Sequence, residues 1–134
     1  MPELSYVGGE LELFAQAERW KAYLASILRA HVRGDVAEVG AGMGAITKQF
    51  LAAPTRSWTC IEPDPQLLAA LERELAPSIR AGRVRCIHGT LDDLDASTRF
   101  DCILYIDVLE HILDDHAELE RAARHLSQGG SLVV

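Results

Sequence analysis

The stretch Val36-Ala37-Glu38-Val39-Gly40-Ala41-Gly42-Met43-Gly44-Ala45 decides how this chain is read. A short run with strand character passes directly into three glycines at alternate positions, and residues 45 to about 53 then suit a helix that Pro54 stops. Glycines let the backbone turn sharply and let a ligand approach without meeting a Cβ, while the start of the following helix presents unpaired N–H groups. The stretch is therefore a strand, a tight loop and a helix. A nucleotide-like ligand belongs outside the carboxyl end of that strand.

Upstream, Leu13, Ala17, Trp20, Leu24, Ile27, Leu28 and His31 recur at three- and four-residue intervals, which predicts an amphipathic helix over about 11–32 that Gly34 ends. Trp20 and Tyr23 are expected to pack this helix on a sheet. Downstream, Trp58-Thr59-Cys60-Ile61 reads as a second strand ending at Glu62. Asp64 can cap the next helix and Pro65 suits its first turn, with Leu67, Leu68, Leu71 and Leu75 on one face and Pro77 closing it. Residues 83 to 87 form a third strand. Phe100-Asp101-Cys102-Ile103-Leu104-Tyr105-Ile106 forms a fourth, nearly continuous in apolar residues as a strand covered on both faces should be. Asp115 and Glu118 resemble a capping box, Gly129-Gly130 ends the helix they start, and Ser131-Leu132-Val133-Val134 begins a fifth strand.

Strands alternating with helices through short connections imply right-handed crossovers, hence an α/β doubly wound parallel sheet with helices on both faces. With no repeat, low-complexity tract or linker, the chain reads as a single domain over 1–134, its core spanning 35–134. The chain stops within an apolar strand, which suggests truncation.

Composition narrows the partners. The 134 residues are 49% hydrophobic and carry 13 basic against 20 acidic side chains, a formal charge of −7. That is a globular composition whose field repels phosphate backbones and anionic lipid, so neither nucleic acid nor membrane is an expected partner. Cys60, Cys86 and Cys102 cannot all pair with one another, which suits a reducing compartment. No signal-like segment or apolar run of ~20 residues occurs, so a cytoplasmic location is expected. Oligomeric state leaves no mark in the sequence.

Glu62 stands 20 positions after Gly42, where a carboxylate can accept hydrogen bonds from both hydroxyls of a ribose. Two ligand classes compete, because Gly40 to Ala45 also satisfies the dinucleotide pattern G-x-G-x-x-A. Glu38 discriminates between them: a carboxylate two residues before the first glycine repels a pyrophosphate and attracts a ligand carrying an ammonium and a sulfonium. S-adenosylmethionine is favoured, with an NAD(P)-dependent oxidoreductase as the alternative.

The run Glu38-Val39-Gly40-Ala41-Gly42-Met43-Gly44 resembles the E/D-x-G-x-G-x-G motif of class I S-adenosylmethionine-dependent methyltransferases. Further pieces follow in that family's order: Glu62, then Gly89-Thr90-Leu91-Asp92-Asp93-Leu94, then Asp107-Val108-Leu109-Glu110-His111, then Leu126-Ser127-Gln128-Gly129-Gly130. The resemblance runs from about residue 12 to the end. It implies a Rossmann-like sheet of strand order 3-2-1-4-5, to which relatives add two further strands. Gly40, Ala41, Gly42 and Gly44 would shape the cofactor loop, with Glu38 setting its local charge and Glu62 holding the ribose. Thr90 and the Leu91 backbone would meet the adenine. Many relatives carry aspartate where Thr90 stands, which makes Asp92 the substitute acceptor. The backbone near Ile106 and Asp107 would approach the methionine ammonium. Ile106-Asp107-Val108-Leu109 replaces the N/D-P-P-Y motif of amide- and adenine-directed relatives, and the D-x-L-E-H form is similar to the small-molecule branch.

The reaction implied is in-line methyl transfer from S-adenosylmethionine to a small-molecule acceptor, leaving S-adenosylhomocysteine. Alignment of donor and acceptor at about 3 Å supplies much of such a rate acceleration, with no covalent intermediate and no metal. His111 is the candidate general base, useful for a poorly acidic hydroxyl. The acidic cluster around it reads as a helix start rather than a metal site. The three cysteines read as small hydrophobes in strands, His88 as a spectator and Tyr6 as a candidate lid residue. A non-catalytic cofactor-binding fragment is the remaining alternative.

Overall fold

The computed structural model describes residues 17–134. Five strands form one parallel sheet of order β3-β2-β1-β4-β5: β1 Gly34–Val39, β2 Thr55–Glu62, β3 Val84–His88, β4 Phe100–Tyr105 and β5 Leu126–Val133. The helices are α1 Glu18–Leu28, α2 Ala45–Gln49, α3 Pro65–Glu74, α4 Ala76–Arg80 and α5 Asp115–Arg124, with 3-10 turns at Leu91–Asp93 and Leu109–His111. This is the doubly wound arrangement expected from the alternation of elements.

Alternate residues of each strand enter different cores. Val36, Cys60, Cys102 and Leu104 are buried on one face with Leu71 and Leu75, whereas Ala37, Ile61, Ile103 and Tyr105 are buried on the other with Leu91 and Ala122. Burial on both faces explains why β4 is apolar almost without interruption. The register sets Glu38 beside Cys60 and Val39 beside Ile61, so the carboxyl ends of β1 and β2 finish together.

Several local expectations change. In α1 the residues turned inward are Lys21 and Ala25, while Trp20 and Tyr23 are 51% and 58% exposed and lie against each other with ring centroids 5.9 Å apart. The small Ala25 allows close approach to the core, and Glu18 pairs with the buried Lys21 at 2.8 Å. The expected packing of Trp20 and Tyr23 on the sheet is thereby corrected, and the part of the predicted helix before residue 17 lies outside the described residues, as does Tyr6. Helix α2 ends at Gln49, because Phe50 turns inward to stack on Trp58 at 5.4 Å. Pro77 does not close α3 but sits in the first turn of α4, where a missing N–H costs nothing.

Asp64 caps α3 as predicted, accepting from the Gln66 and Leu67 N–H groups. For α5 the cap is Asp114, which accepts from the Ala117 N–H at 3.0 Å, so Asp115 is already helical. Strand β5 starts at Leu126, before the predicted Ser131. Its register jumps from Phe100↔Leu126 to Cys102↔Ser131, and Gly129-Gly130 forms the bulge rather than the end of a helix.

At the amino ends of the strands a polar cluster fastens the sheet. The Asp101 carboxylate accepts from the Asp35 N–H at 2.8 Å, Ser127 Oγ at 2.7 Å and the Arg56 guanidinium at 2.7 Å, and Arg56 also donates to Asp35.

Candidate functional site

At the other end of the sheet lies a cavity of about 860 Å³, walled by the residues that follow β1, β2 and β4. Gly40, Gly42 and Gly44 all have positive φ, but for different reasons. A Cβ on Gly40 would lie 2.6 Å from Val108 Cγ2, and one on Gly44 would lie 2.7 Å from Leu71 Cδ1. Those two glycines admit the protein's own side chains. A Cβ on Gly42 would meet nothing within 4 Å, so this residue faces the open cavity, and its φ of +58° holds its N–H toward Glu62.

Glu62 lies at the tip of β2 and is 5% exposed. One carboxylate oxygen accepts from the Gly42 N–H and the other from the Asp64 N–H, both at 2.9 Å. Each oxygen keeps a second lone pair, so the group is fixed in position and still able to accept from a ligand. Glu38 is also buried, and its Oε1 accepts from Thr47 Oγ1 at 2.7 Å. Burial pushes the Glu38 carboxyl up to about 7, opposed by the Thr47 hydrogen bond. Its charge is thus partly withdrawn near neutral pH, a refinement of the simple anion inferred from sequence.

Ile106, Asp107, Val108, His111 and Ile112 wall the cavity beyond β4. Asp107 holds φ at +55°, an uncommon conformation for a residue with a side chain, and one that turns the chain at the cavity's edge. His111 is at the rim with its side chain 60% exposed, and its Nε2 is 3.9 Å from Glu110 Oε1. Glu118 reaches the wall from α5, accepting from Tyr105 Oη and from Arg121, each at 2.7 Å.

Of the sequence-predicted residues, the fold brings Glu38, Gly40, Ala41, Gly42, Glu62, Thr90, Asp107 and His111 to this cavity. Gly44 is turned to α3 instead. Leu91 is fully buried in the second core, so its side chain is part of the packing. One Asp92 carboxylate oxygen is paired with Arg121 Nε at 2.8 Å, on a side chain that does not line the cavity. The Thr90 N–H donates to Asp93 at 2.7 Å and its hydroxyl caps the 3-10 turn. Sequence reasoning missed Thr47 and Glu118, which carry no motif and reach the site only through helix placement. Among the described residues the lining includes five carboxylates, Glu38, Glu62, Asp64, Asp107 and Glu118, and no lysine or arginine. No described group of three or more His, Cys, Asp and Glu is arranged to hold a metal ion.

Residues 37–132 match the sequence profile described as a methyltransferase domain. The chain belongs to the methyltransferase domain family. A ubiquinone biosynthesis O-methyltransferase from Bradyrhizobium sp. (strain ORS 278) is 29% identical over 97 residues, covering 72% of this chain and 37% of that protein. The chain thus spans little more than a third of the length of the curated relatives it matches. Among solved structures, an S-adenosylmethionine-dependent methyltransferase from Clostridium acetobutylicum superposes with a TM-score of 0.71 at 15% identity, over 93% of this chain and 55% of that one. The glycopeptide N-methyltransferase MtfA, in complex with S-adenosylmethionine, gives a TM-score of 0.67 at 25% identity, over 84% of this chain and 52% of that one. The methyltransferase fold places the cavity at the carboxyl edge of the sheet, and membership of this family displaces the oxidoreductase alternative. No helix among the described residues is long and apolar enough to cross a membrane.

Proposed function

We propose that this chain, acting as one domain, binds S-adenosylmethionine in the acidic cavity and directs its methyl group to a small-molecule acceptor. The observation that carries this reading is the open face of Gly42 beside a fixed Glu62, in a cavity lined by carboxylates and by no lysine or arginine among the described residues. A pyrophosphate ligand calls for donors and positive charge, whereas this lining suits a cation with a ribose.

Glu62 holds the ribose hydroxyls with its remaining lone pairs. Gly42 leaves room for the ligand, and Glu38, steadied by Thr47, sets the charge beneath the loop. Because a cation draws Glu38 toward its ionised form, affinity for the cofactor falls as pH drops below about 7. The turned backbone at Asp107 offers polar groups to the ligand's amino-acid end. When bound, S-adenosylmethionine supplies an electrophilic methyl group, so the protein's task is alignment and the exclusion of water. His111 at the rim is placed to take a proton from an acceptor hydroxyl. The likeness to ubiquinone biosynthesis O-methyltransferases supports a small acceptor.

Titration calorimetry tests the reading with S-adenosylhomocysteine, with NADH as the competing ligand. Binding of the first alone is expected. Glu62→Ala removes two charge-assisted hydrogen bonds of ~1.5 kcal/mol or more each, so affinity should fall by about 100-fold. Tight NADH binding, or full affinity in the variant, would overturn the assignment.

A further inference from the structure

Cys60 and Cys86 stand directly opposite each other in the register of β2 and β3. Both side chains belong to the same core face, with Cys60 fully buried and Cys86 partly so because β3 is the edge of the sheet. Neighbouring strands run about 4.8 Å apart, inside the ~4.4–6.8 Å of Cα separation that a disulfide spans. Cys102, by contrast, lies on β4 with β1 between it and Cys60. The Cys60 sulfur is also 3.5 Å from Thr47 Oγ1, whose hydroxyl is hydrogen-bonded to Glu38 at the cavity floor.

The geometry points to Cys60 and Cys86 as a dithiol that closes reversibly into a disulfide and, in closing, loosens the helix that anchors the glycine loop. The oxidant is a small disulfide such as oxidised glutathione. The Cys86 thiolate attacks one glutathione sulfur, the oxidant's S–S bond breaks, and a glutathione thiolate departs. Cys60 then attacks the Cys86 sulfur of the mixed disulfide and yields its thiol proton to the second departing glutathione. The protein has given up two electrons, and two reduced glutathione molecules are released. Cys60 holds the neighbouring Cys86 thiol below the ordinary range, while Cys86 and burial push the Cys60 thiol up, so the more exposed Cys86 is the partner that reacts first. Bonding to Cys86 draws the Cys60 sulfur away from Thr47. The residue that fixes Glu38 then loses a neighbour, and residues 40–50 open more readily.

The test uses the full chain, wild type and with Cys102→Ala, incubated with oxidised glutathione. Peptide mass mapping should find a Cys60–Cys86 cross-link, and hydrogen exchange over residues 40–50 should become about fivefold faster, the scale of one weakened side-chain contact. Dithiothreitol should reverse both, and Cys86→Ser should show neither. Glutathione retained on Cys86 without a cross-link would overturn the inference, as would a cross-link that leaves exchange over 40–50 unchanged. Neither readout needs the cofactor, so a chain that failed to bind S-adenosylhomocysteine would count against the proposed function and not against this pair.

Discussion

The two ends of the sheet use their carboxylates in opposite ways. At the amino end, Asp35 and Asp101 share Arg56 and accept from Ser57 and Ser127, so every acid there has a donor or cation from the chain itself. The side-chain hydrogen bonds of Arg56 and Ser57 hold Asp35 below the ordinary carboxylate range, and the Asp35 N–H and Ser127 do the same for Asp101. At the carboxyl end, Glu62 is held by two backbone N–H groups and Glu38 by one hydroxyl, and of the five lining carboxylates Glu118 is the one that forms an ion pair with a described lysine or arginine, Arg121. Charge that is neutralised internally serves folding. Charge that is positioned but left without a cation serves a ligand.

The largest effect expected to sharpen this contrast belongs to Glu38. Its carboxyl titrates at about 7 in the folded chain against 4.5 in the unfolded one, so the folded state retains a proton that the unfolded chain releases between those values. That contribution to stability is complete below pH 4.5 and is lost as pH rises through about 7, on the order of 3 kcal/mol in all. Urea unfolding across this range should show the decline in wild type and its absence in Glu38→Gln. The acids at the amino end act with the opposite sign, adding stability above their ordinary range that is lost on acidification.

Next come the glycines, which separate packing from ligand space. Gly40→Ala forces a Cβ against Val108 and should cost about 2 kcal/mol in thermal or urea unfolding. Gly42→Ala meets no neighbour, so only its positive φ opposes it, at about 1 kcal/mol. Its larger effect should be on cofactor affinity, since the new methyl group enters the cavity. Equal affinity losses in the two variants would break the distinction.

Smaller still, Asp101→Ala should lower stability by about 1 kcal/mol while leaving S-adenosylhomocysteine affinity unchanged, because the residue lies at the other end of the sheet. His111→Ala should shift unfolding by less than about 0.5 kcal/mol, as its side chain is 60% exposed. Any effect should fall on turnover with a hydroxyl acceptor, and not on cofactor binding.

The parts of this molecule legible in the sequence are those governed by neighbours along the chain. The glycine spacing marked the loop, Asp64 and Pro65 marked a helix start, and the position of Glu62 at a strand end placed it near Gly42. Local signals misled where two solutions look alike over a few residues. Asp114 and Asp115 are both capable caps, and only the reach to the Ala117 N–H chooses between them. Gly129-Gly130 permits a helix end or a bulge, and pairing with β4 selects the bulge. In α1 Leu24 and Leu28 of the predicted apolar stripe do pack on the core beside Ala25, whereas Trp20 and Ile27, at the same spacing, stay exposed.

By itself, then, the sequence determined the succession of strands and helices, the tight loop after β1 and the acid that partners it, because periodicity, turns and caps depend on residues a few positions apart. Tertiary structure alone decided that Thr47 would secure Glu38, that Glu118 would reach the cavity, that Arg121 would occupy Asp92, and that Cys60 would face Cys86. Those pairings depend on strand register and helix placement, which are fixed by how both faces of the sheet fill rather than by any short stretch of chain.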